Sequence, residues 1–211
     1  MSDETFRDET DLPGSEDLGD IRLDELTGPL QAACDRAGWK SLVPVQARAI
    51  PYLLAGRDVM IQSRTGSGKT GAYLLPIMQK VDVHKKAAQA LVLVPEIALS
   101  RHLINVFSSR ISRTVVLHSR MPGGARLETW KKVRRGEVDL VLGTRSAVFA
   151  PLPRLGLVVI DEEQENSFKQ EEQPRYHARE VAEYRAKQDK AVLLMGSATP
   201  SLETFYRAAQ A

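Results

Sequence analysis

Short, almost unbroken apolar runs recur along this chain, separated by stretches of helical spacing, and that alternation constrains its fold more than any other feature. The runs are VMI (59–61), ALVLV (90–94), TVVLH (114–118), DLVLG (139–143), LVVI (157–160) and AVLLM (191–195). Between and after them the spacing predicts helices over about 69–80, 96–107, 123–135, 178–188 and 201–210. Two further helices are expected upstream, over 26–37 and over 44–54. The second of these has Pro44 at its start and Pro51 placed to bend or divide it. Strands that are apolar on both faces must be covered on both faces. The pattern therefore predicts an α/β fold: a mostly parallel sheet with helices on each side. In such sheets ligands bind beyond the C-terminal ends of the strands. The loops after residues 61, 94, 142, 160 and 195 are where chemistry is expected.

Composition bounds the rest. Hydrophobic residues make up 43% of 211, enough for a real core. No run of eighteen apolar residues exists, so no membrane span is expected. The acidic start, MSDETFRDETDLP, lacks the basic and apolar segments of a secretory signal, and a cytoplasmic location is expected. A single cysteine, Cys34, excludes an internal disulfide and any cysteine-cluster structural zinc site, and reads as a small buried filler. Four scattered histidines show no metal-ligand spacing. Residues 1–20 hold eight acids and one base and read as a disordered tail. The remainder carries 28 bases and 19 acids, or +9. That suits a polyanionic partner and equally suits an ordinary soluble surface.

Residues 63–70 read SRTGSGKT, after one strand and at the opening of a helix. The phosphate-loop pattern wants glycine where Ser63 stands, but the rest of it is present. Gly66 and Gly68 let backbone N–H groups turn inward around phosphates. Lys69 supplies a mobile ammonium. Thr70 sets a hydroxyl for Mg²⁺ at a helix N-terminus. Thr65 and Ser67 complete the candidate loop. The bland alternative is a glycine-rich turn with a surface lysine.

A second signal is LVVIDEE, which puts Asp161 and Glu162 at the end of an apolar strand. Asp161 suits Mg²⁺ coordination, and Glu162 suits polarisation of an attacking water. Alone, this reads equally as an acidic strand exit. Glu163 and Glu165 read as solvated acids. Gln164 stands where a polar contact can report nucleotide state.

With both motifs placed, the chain resembles the first RecA-like domain of a superfamily 2 helicase. Residues 21–80 resemble the DEAD-box RNA helicases. GWKSLVPVQ (38–46) matches that family's adenine-reading stretch, with Gln46 at the glutamine and Trp39 at the aromatic. It departs where Ile21, Leu42 and Val43 replace the family's residues. Residues 90–208 resemble replication-restart DNA helicases, through LVLVPEIALS (91–100), LHSRM (117–121), the long run 130–180 and GSATPSLE (196–203). The DEAD tetrad is replaced by DEEQ, so Gln164 departs from both groups.

The resemblance implies ATP and Mg²⁺ as cofactors and a nucleic-acid partner, single-stranded or forked DNA before RNA. It implies a coupling role for Gln164, Ser197, Ala198 and Thr199. Backbone-contacting segments are implied around Pro95 and Glu96 and around Gly143, Thr144 and Arg145. The loop SFKQEEQPRYHARE (167–180) resembles an aromatic-rich DNA-binding loop, with Phe168 and Tyr176 to stack on bases and Lys169, Arg175 and Arg179 to add charge. An ordinary surface loop, and a solvated helix face for KKVRRGE (131–137), are the plainer alternatives. No segment resembles the arginine motifs of a second RecA-like domain, so hydrolysis is expected to need such a domain in cis or in trans. A non-catalytic nucleotide- or nucleic-acid-binding module is the competing reading.

Overall fold

The computed structural model describes residues 17–64, 66–80, 89–96, 99 and 101–208. Six parallel strands form one sheet: β1 (Val59–Gln62), β2 (Gln89–Leu93), β3 (Thr114–Leu117), β4 (Leu140–Gly143), β5 (Leu155–Asp161) and β8 (Val192–Ser197). Their order across the sheet is β1-β8-β5-β2-β4-β3. The α/β expectation is borne out, and the architecture is that of a RecA-like P-loop NTPase domain.

Alternate strand residues point to opposite faces, and each face has its own helices. Val92, Leu142, Val159 and Leu194 pack with α2 (Pro44–Leu54), α3 (Lys69–Lys80) and α4 (Arg101–Ser108). Leu91, Leu93, Val141, Val158 and Ile160 pack with α5 (Gly123–Arg134) and α6 (Ala178–Asp189). Every residue of β2 is buried, as expected of a central strand covered twice. Each fully buried Val or Leu contributes about 1.5–3 kcal/mol of transfer free energy. A third cluster joins α1 (Gly28–Arg36) to the outer side of α2 and α3, and Cys34 is buried there. α7 (Leu202–Ala208) closes the described chain.

Several local expectations are revised. α2 runs through Pro51 without a break. The helix expected from residue 96 starts at Arg101. The aromatic-rich loop contains a two-stranded antiparallel hairpin, β6 (Lys169–Gln170) with β7 (Tyr176–His177). Of the disordered tail expected over 1–20, residues 1–16 lie outside the described residues, and Asp17 is tied down. Its Oδ1 accepts from Arg48 at 2.8 Å and from the Tyr52 hydroxyl at 2.9 Å.

Register brings the strand ends to one rim. Gln62 pairs with Ser197, Asp161 with Gly196, and Leu93 with both Ile160 and Gly143. The phosphate loop, the acidic loop and the segment after β8 therefore emerge side by side. Among the described residues, no helix is long and apolar enough to cross a membrane.

Candidate nucleotide site and adjoining loops

The loop after β1 turns on two glycines in left-handed backbone, Gly66 at φ +81° and Gly68 at φ +96°. Other residues rarely adopt that conformation, which here folds the loop over the start of α3. Ser63 donates its N–H to Ser197 O at 2.9 Å, which moors the loop to β8. Lys69 is only 6% exposed. Its ammonium donates to Ser63 O at 2.6 Å and Arg64 O at 3.1 Å, and lies 3.6 Å from Glu162 Oε1. The Ser67 hydroxyl is buried with no hydrogen-bond partner among the described residues. An orphaned polar atom in a loop of inward-turned backbone is what a phosphate-binding cradle would leave for its ligand. Thr65 lies outside the described residues, and Thr70 is half-buried at the start of α3.

β5 delivers Asp161 opposite that loop. Its carboxylate accepts from the Tyr73 hydroxyl at 2.9 Å and from the Glu162 N–H at 3.1 Å. Burial pushes the Asp161 carboxyl above the usual carboxylate range, against the opposing Tyr73 hydrogen bond. Burial and then Asp161 push the Tyr73 phenol well above its ordinary value, so it stays a donor. On the facing strand, a Cβ at Gly196 would sit 3.3 Å from Asp161 Oδ1 and 3.9 Å from Lys69 Cδ. Glycine there keeps room between the two charged groups. Among the described residues no cluster of three or more His, Cys, Asp or Glu could hold a metal. One carboxylate with a hydroxyl, as Asp161 and Thr70 would offer, is a donor set of the kind Mg²⁺ takes, since it is commonly held through one or two carboxylates and keeps phosphates and waters for the rest.

Glu162 adopts left-handed backbone, φ 52°, unusual for a residue with a side chain. From it runs a chain of contacts. Gln164 Nε2 donates to Glu162 Oε2 at 3.0 Å, the Ser197 hydroxyl donates to Gln164 Oε1 at 2.5 Å, and the Thr199 N–H donates to Ser197 Oγ at 3.0 Å. Gln164, Ser197 and Thr199 are thus brought together. Ala198 lies in the same turn and has no polar side-chain atom.

Trp39 and Gln46 lie against the phosphate loop, but Gln46 is not open to a base. It is 4% exposed, and both amide atoms are engaged: Oε1 accepts from Val43 N at 3.2 Å and Nε2 donates to Gly68 O at 3.1 Å. A Cβ at Gly71 would collide with Gln46 Nε2 and stand 2.6 Å from Trp39 Cη2. The stretch braces the loop and the first turn of α3.

The expected nucleic-acid residues divide. Phe168 has no exposed surface; it fills the core beside α6 because the 3-10 turn Asn166–Phe168 points it inward. Arg179, at the start of α6, is buried against Glu163, and Glu163 is not a solvated acid. Both Phe168 and Arg179 leave the stacking and charge-pairing set. Gly143 is a packing glycine: a Cβ there would meet Ala147 Cβ and Leu117 O. Its carbonyl accepts from Val94 N, and the Thr144 N–H is taken by Leu117 O at 3.1 Å. The backbone N–H of Thr144 is therefore not free to receive a phosphate. Pro95 is buried. Glu96 is exposed, held by the Ser119 hydroxyl at 2.7 Å and Arg120 at 3.3 Å, which keep its carboxyl below the usual range.

What stays together is Arg145, Lys169, Arg175 and Tyr176. Arg145 donates to the carbonyls of Ser167 and Lys169, bracing the hairpin. It lines an open cleft of about 830 Å³ with Lys169 and Gln170, and with Glu171 and Glu172 as opposing charges. Arg175 and Tyr176 line an adjoining cleft of about 530 Å³. The Tyr176 ring meets Phe149 edge-on at 4.9 Å, and Phe149 is 45% exposed. The sequence reading missed Phe149, whose only signal was an aromatic before the AP dipeptide at a strand exit. The charged run on α5 pairs within itself, Lys131 with Glu128 and Arg135 with Glu137, as a solvated face does.

Residues 43–208 match the family model of DEAD/DEAH box helicases. The replication restart protein PriA of Bacillus subtilis is 48% identical over 150 residues, which is 71% of this chain and 18% of that protein. The PriA proteins of Synechocystis sp. and Haemophilus influenzae are each 42% identical, over 78% and 75% of this chain and 20% and 22% of theirs. The chain spans about a fifth of the length of these curated relatives. A solved DEAD box protein from the hyperthermophile Methanococcus jannaschii superposes with a TM-score of 0.69 at 18% identity, over 90% of this chain and 53% of that one, a likeness of fold.

Proposed function

The chain belongs to the DEAD/DEAH box helicase family, and from that premise we propose that it is the ATP-binding motor domain of an ATP-dependent helicase acting on DNA. The observation that carries this reading is the approach of Lys69 Nζ to Glu162 Oε1, 3.6 Å, across the gap between the glycine loop and the strand end bearing Asp161. A cation and two carboxylates thus surround one space, and we assign the end of the triphosphate to it.

In this reading the loop N–H groups and the start of α3 hold the phosphates. Lys69 leaves the Ser63 and Arg64 carbonyls for the β- and γ-phosphate oxygens. Thr70 and Asp161 would hold Mg²⁺, which would supply positive charge to the phosphates. Glu162 orients and polarises the attacking water, steadied by Gln164 on its other oxygen. Ser197 and Thr199 pass the state of that carboxylate to the segment after β8. P-loop motors gain roughly 10³–10⁵ in rate from an inserted arginine, and we assign that group to a second RecA-like domain, in cis or in trans.

DNA is favoured over RNA because the similar curated proteins are replication restart proteins. The contact surface is assigned to Arg145, Lys169, Arg175 and Tyr176, with Phe149 added and Pro95 and Glu96 at the neighbouring strand end. Titration of a fluorescent ATP analogue with Mg²⁺ tests the site. Lys69→Ala is expected to weaken binding at least about tenfold, the scale of one charge-assisted contact. Equal affinity in the two proteins would reject the assignment. Single-turnover hydrolysis with single-stranded DNA or RNA separates the two polymers. The 211-residue chain alone is expected to hydrolyse ATP well below about 1 s⁻¹, and no turnover even with a second RecA-like domain supplied would leave a non-catalytic binding module.

A further inference from the structure

Glu163 sits beside the two acids of the site and faces away from them. It is 1% exposed. Its Oε1 accepts from the Ser201 N–H at 2.7 Å. Its Oε2 accepts from the Thr204 hydroxyl at 3.0 Å, from the Ser201 hydroxyl at 3.1 Å and from Arg179 at 3.0 Å. Arg179 also donates to the Ser201 and Thr204 hydroxyls, which closes the cluster. The Glu163 backbone N–H donates to Gly196 O at 3.0 Å. Four elements therefore meet at one residue: the exit of β5 carries Glu163, the end of β8 holds its backbone N–H, and the starts of α6 and α7 hold its carboxylate.

So many contacts on one buried acid demand a reason, since desolvating an ion pair often cancels its attraction. The residue before it supplies one. Glu162 holds left-handed backbone at φ 52°, a conformation that costs on the order of 1–3 kcal/mol and persists only where the surroundings over-determine it. Glu163 is the next residue in the chain and is clamped at both its backbone and its side chain. With that clamp the turn points the Glu162 carboxylate at Lys69 and Gln164. Without it the turn is free to relax to ordinary backbone and swing Glu162 away.

We propose that Glu163 is a positioning residue for ATP hydrolysis: its buried carboxylate latches the turn carrying Glu162 onto the segment 201–204. The proposal rests on reading the site as an ATPase. Its cost should fall on turnover and not on binding, because Lys69, Asp161 and the phosphate loop do not touch the latch.

The test measures single-turnover ATP hydrolysis by the 211-residue chain in excess over ATP, with a second RecA-like domain supplied in trans, and the stoichiometry and affinity of a fluorescent ATP analogue measured in parallel. Glu163→Gln keeps the shape but puts an amide N–H₂ against the donors. Thr204→Val is isosteric and removes one hydroxyl, so it remains informative if E163Q folds poorly. E163Q is expected to lower the hydrolysis constant about 10–100-fold, the scale of misplacing a reacting group by about 1 Å. T204V should lower it about threefold. Both should bind one nucleotide per chain with affinity within about twofold of the parent. Glu163→Asp keeps the charge but falls one methylene short, and should not restore the rate. Loss of rate matched by loss of binding stoichiometry would mean a merely structural role and overturn the proposal. Unchanged rates in E163Q and T204V would overturn it while leaving the ATPase reading intact. A parent chain that binds ATP but shows no hydrolysis even with a second RecA-like domain supplied in trans removes the hydrolytic reading, and the proposal falls with it.

Discussion

Replacing Phe168 by alanine distinguishes a ring that stacks on bases from one that fills a core. The ring has no exposed surface and packs with Val158, Ile160, Ala178 and Ala182 between the sheet and α6. Truncating a fully buried phenylalanine costs about 3–5 kcal/mol, through lost transfer energy and the cavity left behind. For a domain of this size each kcal/mol lowers the melting temperature by about 2–4 °C. The expected loss is therefore about 6–20 °C, read by circular dichroism. Ala178 and Ala182 carry too little side chain to close the gap, which favours the upper half of that range. Affinity for labelled single-stranded DNA, measured near 10 °C where parent and variant are both folded, should change less than about twofold. Phe168→Leu should recover most of the stability. The reasoning is refuted by the opposite pattern: a melting shift under about 2 °C with a loss of about 1–3 kcal/mol in DNA binding, the value of one base stack.

Two further outcomes follow from the geometry. Gln46→Ala should weaken ATP and GTP by similar factors, because its amide braces Val43 N and Gly68 O and presents nothing to a base; a loss confined to ATP, in paired titrations, would restore the adenine-reading role. His177 caps α6 by accepting from the Arg179 N–H through Nδ1, and burial, then Arg179, holds its imidazole below the usual value. A base whose folded pKa is depressed stabilises the fold above its unfolded value, about 6.5, and that contribution is lost as pH falls through the folded pKa. The melting temperature should therefore drop between about pH 7.5 and pH 5.5, and His177→Asn, which caps without titrating, should show a smaller drop.

The sheet was legible because its strands are apolar on both faces, a pattern that survives without knowledge of neighbours. The places of the glycine loop and of Asp161 were legible for a related reason: each is a short local motif fixed to a strand end. The aromatic-rich loop was not, because charge surrounds Phe168 on both sides and only a 3-10 turn decides which way the ring faces. Glu163 and Arg179 are sixteen residues apart and share no periodicity, so nothing in the chain announces that one neutralises the other. A hairpin of two residues per strand is too short to leave an alternating pattern. For Gln46 the residue type pointed to the right neighbourhood, while the identity of its partners depended on how closely Gly68 and Gly71 let α2 approach.

The strand order works as a ruler. Neighbouring strands in a sheet stand about 4.8 Å apart, and β1, β8 and β5 carry the loops of the proposed nucleotide site while β2, β4 and β3 carry the other rim loops. Asp161 is thus one strand spacing from the loop holding Pro95 and Glu96, and two from the loop opening at Thr144. Those intervals are set by backbone hydrogen bonds through a fully buried centre, so the sheet itself cannot stretch when a phosphate is lost. A body with fixed graduations can keep count along a polymer, but it cannot take the step. In the proposed motor, any stride would come from this rim moving against a second one.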